Sequence, residues 1–188
     1  INFMQQVSLC FNNVKNKDLG LIGELTSLQK LLLSDNKISK IEGLDKLTKL
    51  RELYLSDNEI TKIRGLDSLT KLKKLDLEFN QITKIEGLDS LTNLQVLNLN
   101  RNQITTMQGL DNLTRLKVLN LDYNNISKIE GLEKLANLET LDLSFNKFTT
   151  IQDLKNPTNL KSLYLGHNNI TTIQSLNNFV ELKALNLV

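Results

Sequence analysis

Phe79, Arg101, Tyr123, Phe145 and His167 stand at a constant interval of 22 residues. Aromatic rings and Arg are the residue types enriched where protein surfaces meet. Three positions before this column lies a second, with Tyr54, Asp76, Asp142 and Tyr164, and between the two fall Glu78 and Asp122. The eleven residues predict an exposed binding surface, aromatic along one line and acidic beside it. They do not predict catalysis. His167 has no nucleophile near it in the pattern, and the lone Cys10 sits far away in the N-terminal stretch. Asp76 and Asp142 are three intervals apart, roughly 14 Å at the spacing of neighbouring strands. That is too far for the carboxylate pair of a glycoside hydrolase. Asp76 and Glu78 share one strand, but nothing predicts a closed pocket around them. Neither GxxxxGK[ST] nor GxGxxG occurs, so no phosphate-cradling loop is expected. The chain is read as a non-enzyme without a cofactor or bound metal.

A surface built from every twenty-second residue needs a scaffold that aligns them. Leu31, Leu53, Leu75 and their successors to Leu185 form one column, and Leu33, Leu55, Leu77 and their successors to Leu187 another. Ile38 to Ile170 and Ile41 to Ile173 supply two more, with Phe148 and Met107 as variants. A Gly-Leu pair recurs from Gly43-Leu44 to Gly131-Leu132. Alternation in LxL is that of a strand whose alternate side chains share a face. Each coil is read as a five-residue strand, a turn and a return segment. One coil cannot bury its apolar side chains, whereas stacked coils form a continuous core. The strands therefore line one face of a solenoid as a parallel sheet.

The column Asn36, Asn58, Asn80, Asn102, Asn124, Asn146 and Asn168 is the most telling. It falls where the chain turns inward out of the strand. Backbone groups there are buried and lack ladder partners. An amide offers both a donor and an acceptor, which neither Asp nor Leu does. Seven in register are expected to form a structural ladder.

LxxLxLxxNxI is the pattern of the leucine-rich repeat, and the continuation IxxIxGLxxLxxL from Ile38 to Leu50 resembles the SDS22-like subfamily of 22-residue repeats. The Ile-Glu-Gly-Leu runs at 41–44, 85–88 and 129–132 carry that resemblance; internalins are similar in repeat length and in the first half of the pattern. The resemblance implies an α/β solenoid, a right-handed superhelix with a concave parallel β-sheet of eight or nine strands. Its convex face would be short helical or 3-10 turns and loops. It also implies a protein–protein interaction scaffold that holds a globular partner on the concave face. For an SDS22-like protein the partner would be the protein phosphatase 1 catalytic subunit, met here by Asp76, Phe79, Asp122, Tyr123, Asp142 and Phe145. That family's contact set includes Trp, which this chain lacks. The alternatives are an internalin-like surface adhesin and a structural protein similar to the axonemal dynein light chain. A cytoplasmic or nuclear location follows from the first reading, the cell surface from the second.

Composition limits other classes. The chain has 188 residues, 23 Lys plus Arg against 21 Asp plus Glu, and a net charge of +2. This balance argues against nucleic-acid binding through bulk charge and against a polybasic membrane binder. No apolar run reaches the ~18 residues of a membrane helix. One Cys excludes an internal disulfide. Asn112, Asn125 and Asn169 open Asn-x-Ser/Thr triplets, which an Asn-rich repeat produces readily.

The ends depart from the pattern. Residues 1–27 read as a degenerate first repeat or cap, and 28–188 as the repeats of a single solenoid. At a spacing of 22, Leu9 and Phe11 fall in apolar columns and Val14 in the Asn column. Asp153 and Ser175 replace the column Gly, and Pro157 a column Leu, so the outer segment near Pro157 should differ locally. Val188 lies on the last strand, where an open sheet edge is expected to allow self-association.

Overall fold

The structure, a computed structural model, describes residues 4–151, 159–173 and 180–188. Asp153, Pro157 and Ser175 lie outside these residues. The described chain is a stack of coils, each contributing one strand to the main sheet. The order is β1 (Gln6–Ser8), α1 (Asn16–Ile22), β2 (Lys30–Leu32), β3 (Glu52–Tyr54), β4 (Lys74–Asp76), β5 (Val96–Asn98), β6 (Val118–Asn120), β7 (Thr140–Asp142), β8 (Thr150–Ile151), β9 (Ser162–Tyr164), β10 (Thr172–Ile173) and β11 (Ala184–Asn186). Nine of them form one sheet in the order β1-β2-β3-β4-β5-β6-β7-β9-β11, parallel throughout. β8 and β10 pair separately, also in parallel.

The regular strands are three residues long, not five, and the chain then starts to turn. Backbone bonding between coils nevertheless continues past each strand. The Leu77 N–H donates to Asn98 O at 2.9 Å and the Phe79 N–H to Asn100 O at 2.9 Å. From β2 onward the register is invariant: Leu31, Leu53, Leu75, Leu97, Leu119, Leu141, Leu163 and Leu185 face one another rung by rung.

The leucine and isoleucine columns fill the interior. Leu75, Leu77, Ile82, Leu91, Leu97 and Leu99 are fully buried, each removed from water at a gain of about 1.5–3 kcal/mol. On the outer side the backbone makes successive tight turns: Leu47 N–H donates to Leu44 O and Leu50 N–H to Leu47 O, both at 2.9 Å. These i→i−3 bonds are of 3-10 type. They place Leu44, Leu47 and Leu50 inward without a full helix. Leu185 and Leu187, in the last described coil, are 40% and 38% exposed. Among the described residues no helix is long and apolar enough to cross a membrane.

Gly65 shows why the Gly column exists. Its φ is +74°, and a Cβ there would run into the Ile41 carbonyl oxygen of the preceding coil. The close approach excludes a side chain here, and the left-handed backbone further disfavours one.

The Asn column forms the expected ladder. The Asn102 Nδ2 donates to Leu77 O, Leu99 O and Asn100 O at 2.9, 3.1 and 3.1 Å, and its Oδ1 accepts the Ile82 N–H at 3.0 Å. The same set recurs at Asn58, Asn80, Asn124 and Asn146. Each amide thereby ties its own turn to the coil before it.

The first coil corrects the reading at constant spacing. β1 pairs with β2 as Val7↔Leu31, an offset of 24 rather than 22. Leu9 N–H donates to Leu32 O and Phe11 N–H to Ser34 O, which puts Phe11 opposite Asp35. Val14 N–H donates to Asn36 Oδ1 at 2.8 Å, as Ile38 N–H does to Asn58 Oδ1. Val14 thus belongs to the Ile column, Asn12 to the Asn column, and Phe11 to an exposed column. By Ile22 the offset is 22 again, because Leu25 N–H bonds Ile22 O as Leu47 N–H bonds Leu44 O. The two extra residues are absorbed between Val14 and Leu19, where α1 replaces the extended return. Asn16 fastens α1 to the next coil, its Oδ1 accepting from Ser39 N and Lys40 N.

Candidate functional site

The row that opens on Phe79 stands at one rim of the concave sheet. Each member immediately precedes a ladder Asn. To send that Asn inward, the chain must reverse its curl at the preceding residue. Asp35, Asp57, Phe79, Arg101, Tyr123, Phe145 and His167 all have φ between 50° and 55°, and Phe11 has φ 59°. This is the left-handed region, which costs a non-glycine residue roughly 1–2 kcal/mol. Asp tolerates it through local hydrogen bonding; Phe, Tyr, His and Arg have no such relief. Strained backbone occupied by unsuited residues points toward function.

The same geometry projects these side chains outward and sets them in parallel. The Tyr123 and Phe145 rings stack with centroids 3.9 Å apart and planes 11° from parallel. Phe145 and His167 stack at 4.0 Å and 18°. The Arg101 guanidinium lies 4.8 Å from the Tyr123 centroid and 5.8 Å from that of Phe79. Stacks of this kind contribute about 0.5–1.5 kcal/mol per pair, which offsets part of the backbone strain. Phe145 is thus covered by Tyr123 and His167, and Tyr123 by Arg101 and Phe145. Phe79 is 50% exposed and Tyr123 41%.

Beside the row lies a polar strip. Asp76 Oδ1 accepts the Glu78 N–H at 3.1 Å. Asn98, Asn120 and Asp142 bond Asn100, Asp122 and Ser144 in the same way. Each second-column Asx therefore spends one oxygen on the turn two residues on. The Asn98 Nδ2 donates to Asp76 Oδ1 and Glu78 Oε2, both at 3.1 Å, and the Asn100 Nδ2 donates to Glu78 Oε1 at 3.2 Å. Burial pushes the Asp76 carboxyl above its usual range, against its hydrogen bonds and the nearby Lys74. Asp122 is raised to about 6, first by burial and then by the charges of Asp142 and Glu78, with Arg101 opposing.

The structure does not unite all eleven residues. Phe79, Arg101, Tyr123, Phe145 and His167 form one continuous stack, with Asp76, Glu78, Asp122 and Asp142 alongside. Tyr54 belongs to a separate group: its hydroxyl donates to Glu52 Oε2 at 2.9 Å, and Lys30 and Lys74 flank its ring at 5.2 and 4.8 Å. Lys30 also pairs with Glu52 at 3.1 Å. Tyr164 sits on β9 opposite Asp142. The left-handed backbone and the Asx turns escaped the sequence reading. Asp35 and Asp57 in the row's own column were the available signal for the first. The recurrence of Asp or Asn at 76, 98, 120, 142 and 186 was the signal for the second.

Comparison with known proteins accords with this architecture. The model of a family described as leucine-rich repeats in two copies matches residues 26–68, 70–112 and 114–156, and a second leucine-rich repeat model matches 136–188. An internalin C2 of Listeria monocytogenes superposes with a TM-score of 0.84 at 31% identity, covering 97% of this chain and 80% of that one. The internalin inlF of the same organism gives 0.83 at 28%, over all of this chain; the chain spans 62% of inlF's length. The TLR13 of a TLR13–ssRNA13 complex gives 0.83 at 28% identity, with 93% and 27% of the two chains covered. No curated protein matches the chain.

Proposed function

The chain belongs to the leucine-rich repeat family, and we propose that it is a protein-recognition module whose concave face and aromatic rim hold a folded protein partner. One observation carries this reading. Residues poorly suited to left-handed backbone occupy it at Phe79, Arg101, Tyr123, Phe145 and His167, and their stacking leaves half-exposed rings beside carboxylates. A purely structural turn is served better by Asp or Asn at these positions.

Two finer readings differ in the partner. The likeness to internalins, 31% identity over 97% of the chain, favours a surface-displayed adhesin. The SDS22-like reading places the phosphatase 1 catalytic subunit against Asp76, Phe79, Asp122, Tyr123, Asp142 and Phe145, and rests on the Ile-Glu-Gly-Leu runs and that set of residues. The test is capture with wild type and with the Phe79→Ala, Tyr123→Ala, Phe145→Ala triple variant, both shown to be folded by circular dichroism. A partner held by wild type and lost from the folded triple variant supports the concave-rim reading. Equal retention by both proteins sinks it. Purified phosphatase 1 catalytic subunit, run in parallel, separates the two finer readings.

A further inference from the structure

The middle of the concave face contains an unsatisfied pair. Asn100 and Asp122 occupy equivalent positions on neighbouring coils, two residues beyond the rung Asn98↔Asn120, and Arg101 N–H donates to Asp122 O at 3.1 Å between those coils. Cross-strand neighbours at such a rung have Cβ atoms about 5 Å apart. Among the described residues, Asn100 Oδ1 and Asp122 Oδ1 are the buried side-chain oxygens without a hydrogen-bond partner. A buried acceptor left unmatched is costly, and here two such acceptors belong to adjacent rungs.

Their orientation follows from the strip's bonding. The Asn100 Nδ2 is committed to Glu78 Oε1, on the coil before it. A planar amide then turns its Oδ1 to the opposite side, where Asp122 lies. One amide thus stands between two carboxylates and can donate toward only one of them. Reversing the amide would turn its donor toward Asp122 and take it from Glu78 Oε1, leaving Glu78 only the Asn98 bond at Oε2. A single added proton satisfies both orphans at once.

We propose that Asp122 and Asn100 share a proton: Asp122 takes one up and donates it to Asn100 Oδ1, which makes the pair a pH-sensitive element at the centre of the concave face. No other co-reactant is needed, since the proton comes from solvent and the bond formed is O–H···O=C. The surrounding charges act on this uptake from each side. Glu78 two coils back and Asp142 one coil forward favour it; Arg101, on the coil of Asn100, opposes it. Ser144 and Tyr123 are the uncharged neighbours on the forward coil and on Asp122's own turn. Protonation removes one negative charge from the face. The consequence for a bound partner rests on the proposed function; the pairing itself does not.

The test uses the free chain. Carbon-detected NMR titration of the Asp122 side-chain carboxyl, assigned with Asp122→Asn, is compared in wild type and in Asn100→Leu. The leucine keeps the site covered and removes the acceptor. In wild type the carboxyl titrates near pH 6, and in Asn100→Leu its midpoint falls by about 0.5–1 unit, the worth of one hydrogen bond. A wild-type midpoint in the ordinary carboxylate range overturns the proposal. So does a midpoint in Asn100→Leu that is unchanged or raised, because burial alone would then set it.

Discussion

Asn102 Oδ1 accepts the backbone N–H of Ile82, 20 residues earlier, at 3.0 Å. The Nδ2 of the same amide serves three carbonyls, one of them Leu77 O on the preceding coil. The side chain is therefore a stitch between coils rather than a local cap. Neither an acceptor alone nor a donor alone would close it.

Asn102→Ala and Asn102→Asp should each lower stability by about 1–3 kcal/mol, since both orphan buried backbone groups. The Asp variant separates the ladder account from simple loss of side-chain volume. Urea denaturation decides: a midpoint for Asn102→Asp equal to wild type would mean that the Nδ2 bonds contribute nothing.

Core and rim should respond differently. Leu99 is fully buried, and Leu99→Ala should cost about 2–5 kcal/mol as a central cavity. Phe145→Asn loses two stacked neighbours and relieves left-handed strain, so the opposing effects of about 1–2 kcal/mol each nearly cancel. A loss at Phe145 as large as that at Leu99 would show the row to be core and not surface.

Two glycines give opposite predictions. Gly65→Ala meets the Ile41 carbonyl at φ +74° and should cost about 2 kcal/mol or more. Gly20 lies within α1 with nothing within 4 Å of an added Cβ. Gly20→Ala should therefore stabilise by about 0.5–1 kcal/mol. Thermal melts of the two variants measure the contrast directly, and a shared direction would refute the assigned backbone roles.

The concave acids set a pH dependence. Burial and neighbouring acids raise Asp122 to about 6, and burial raises Asp76, each from an ordinary 3.8. Such groups bind protons more tightly when folded, so folding gains as pH falls through the raised values, and the gain is complete below the unfolded ones. Glu52, lowered from 4.5 by its hydrogen bond with Lys30, acts oppositely, its contribution being lost as pH falls below 4.5. Wild type should melt at a higher temperature at pH 5 than at pH 7.5. Asp122→Asn should show a smaller difference and exceed wild type at pH 7.5. Equal slopes in the two proteins would remove Asp122 from the account.

The repeating part of the fold was legible because its columns carry one requirement each. Leucine at 31, 53 and 75 must be apolar, and Asn at 36, 58 and 80 must both donate and accept. The first coil was not legible, because its rung is 24 residues from the next and the difference is hidden inside α1. At a spacing of 22, Val14 falls beside Asn36; in the structure it stands beside Ile38, bonded to the Asn36 side chain. The row from Phe79 to His167 was visible as a column of exposed residues. Its backbone was not, because Phe, Tyr and Arg are among the residues least expected at positive φ. Asp76 and Asp142 were visible as acids beside the row, but not that each has an oxygen committed to its own turn.

Every strand of the main sheet touches only the strands of the adjoining coils. Mechanically this makes the stack a chain of springs in series, with no backbone hydrogen bond among the described residues reaching past the adjoining coil. Under a pulling force, coils should peel away one after another rather than rupture together. Each coil of 22 residues would release about 75 Å of contour length, and the 24-residue first coil about 80 Å. The longer step would mark the N-terminal end of a force–extension trace.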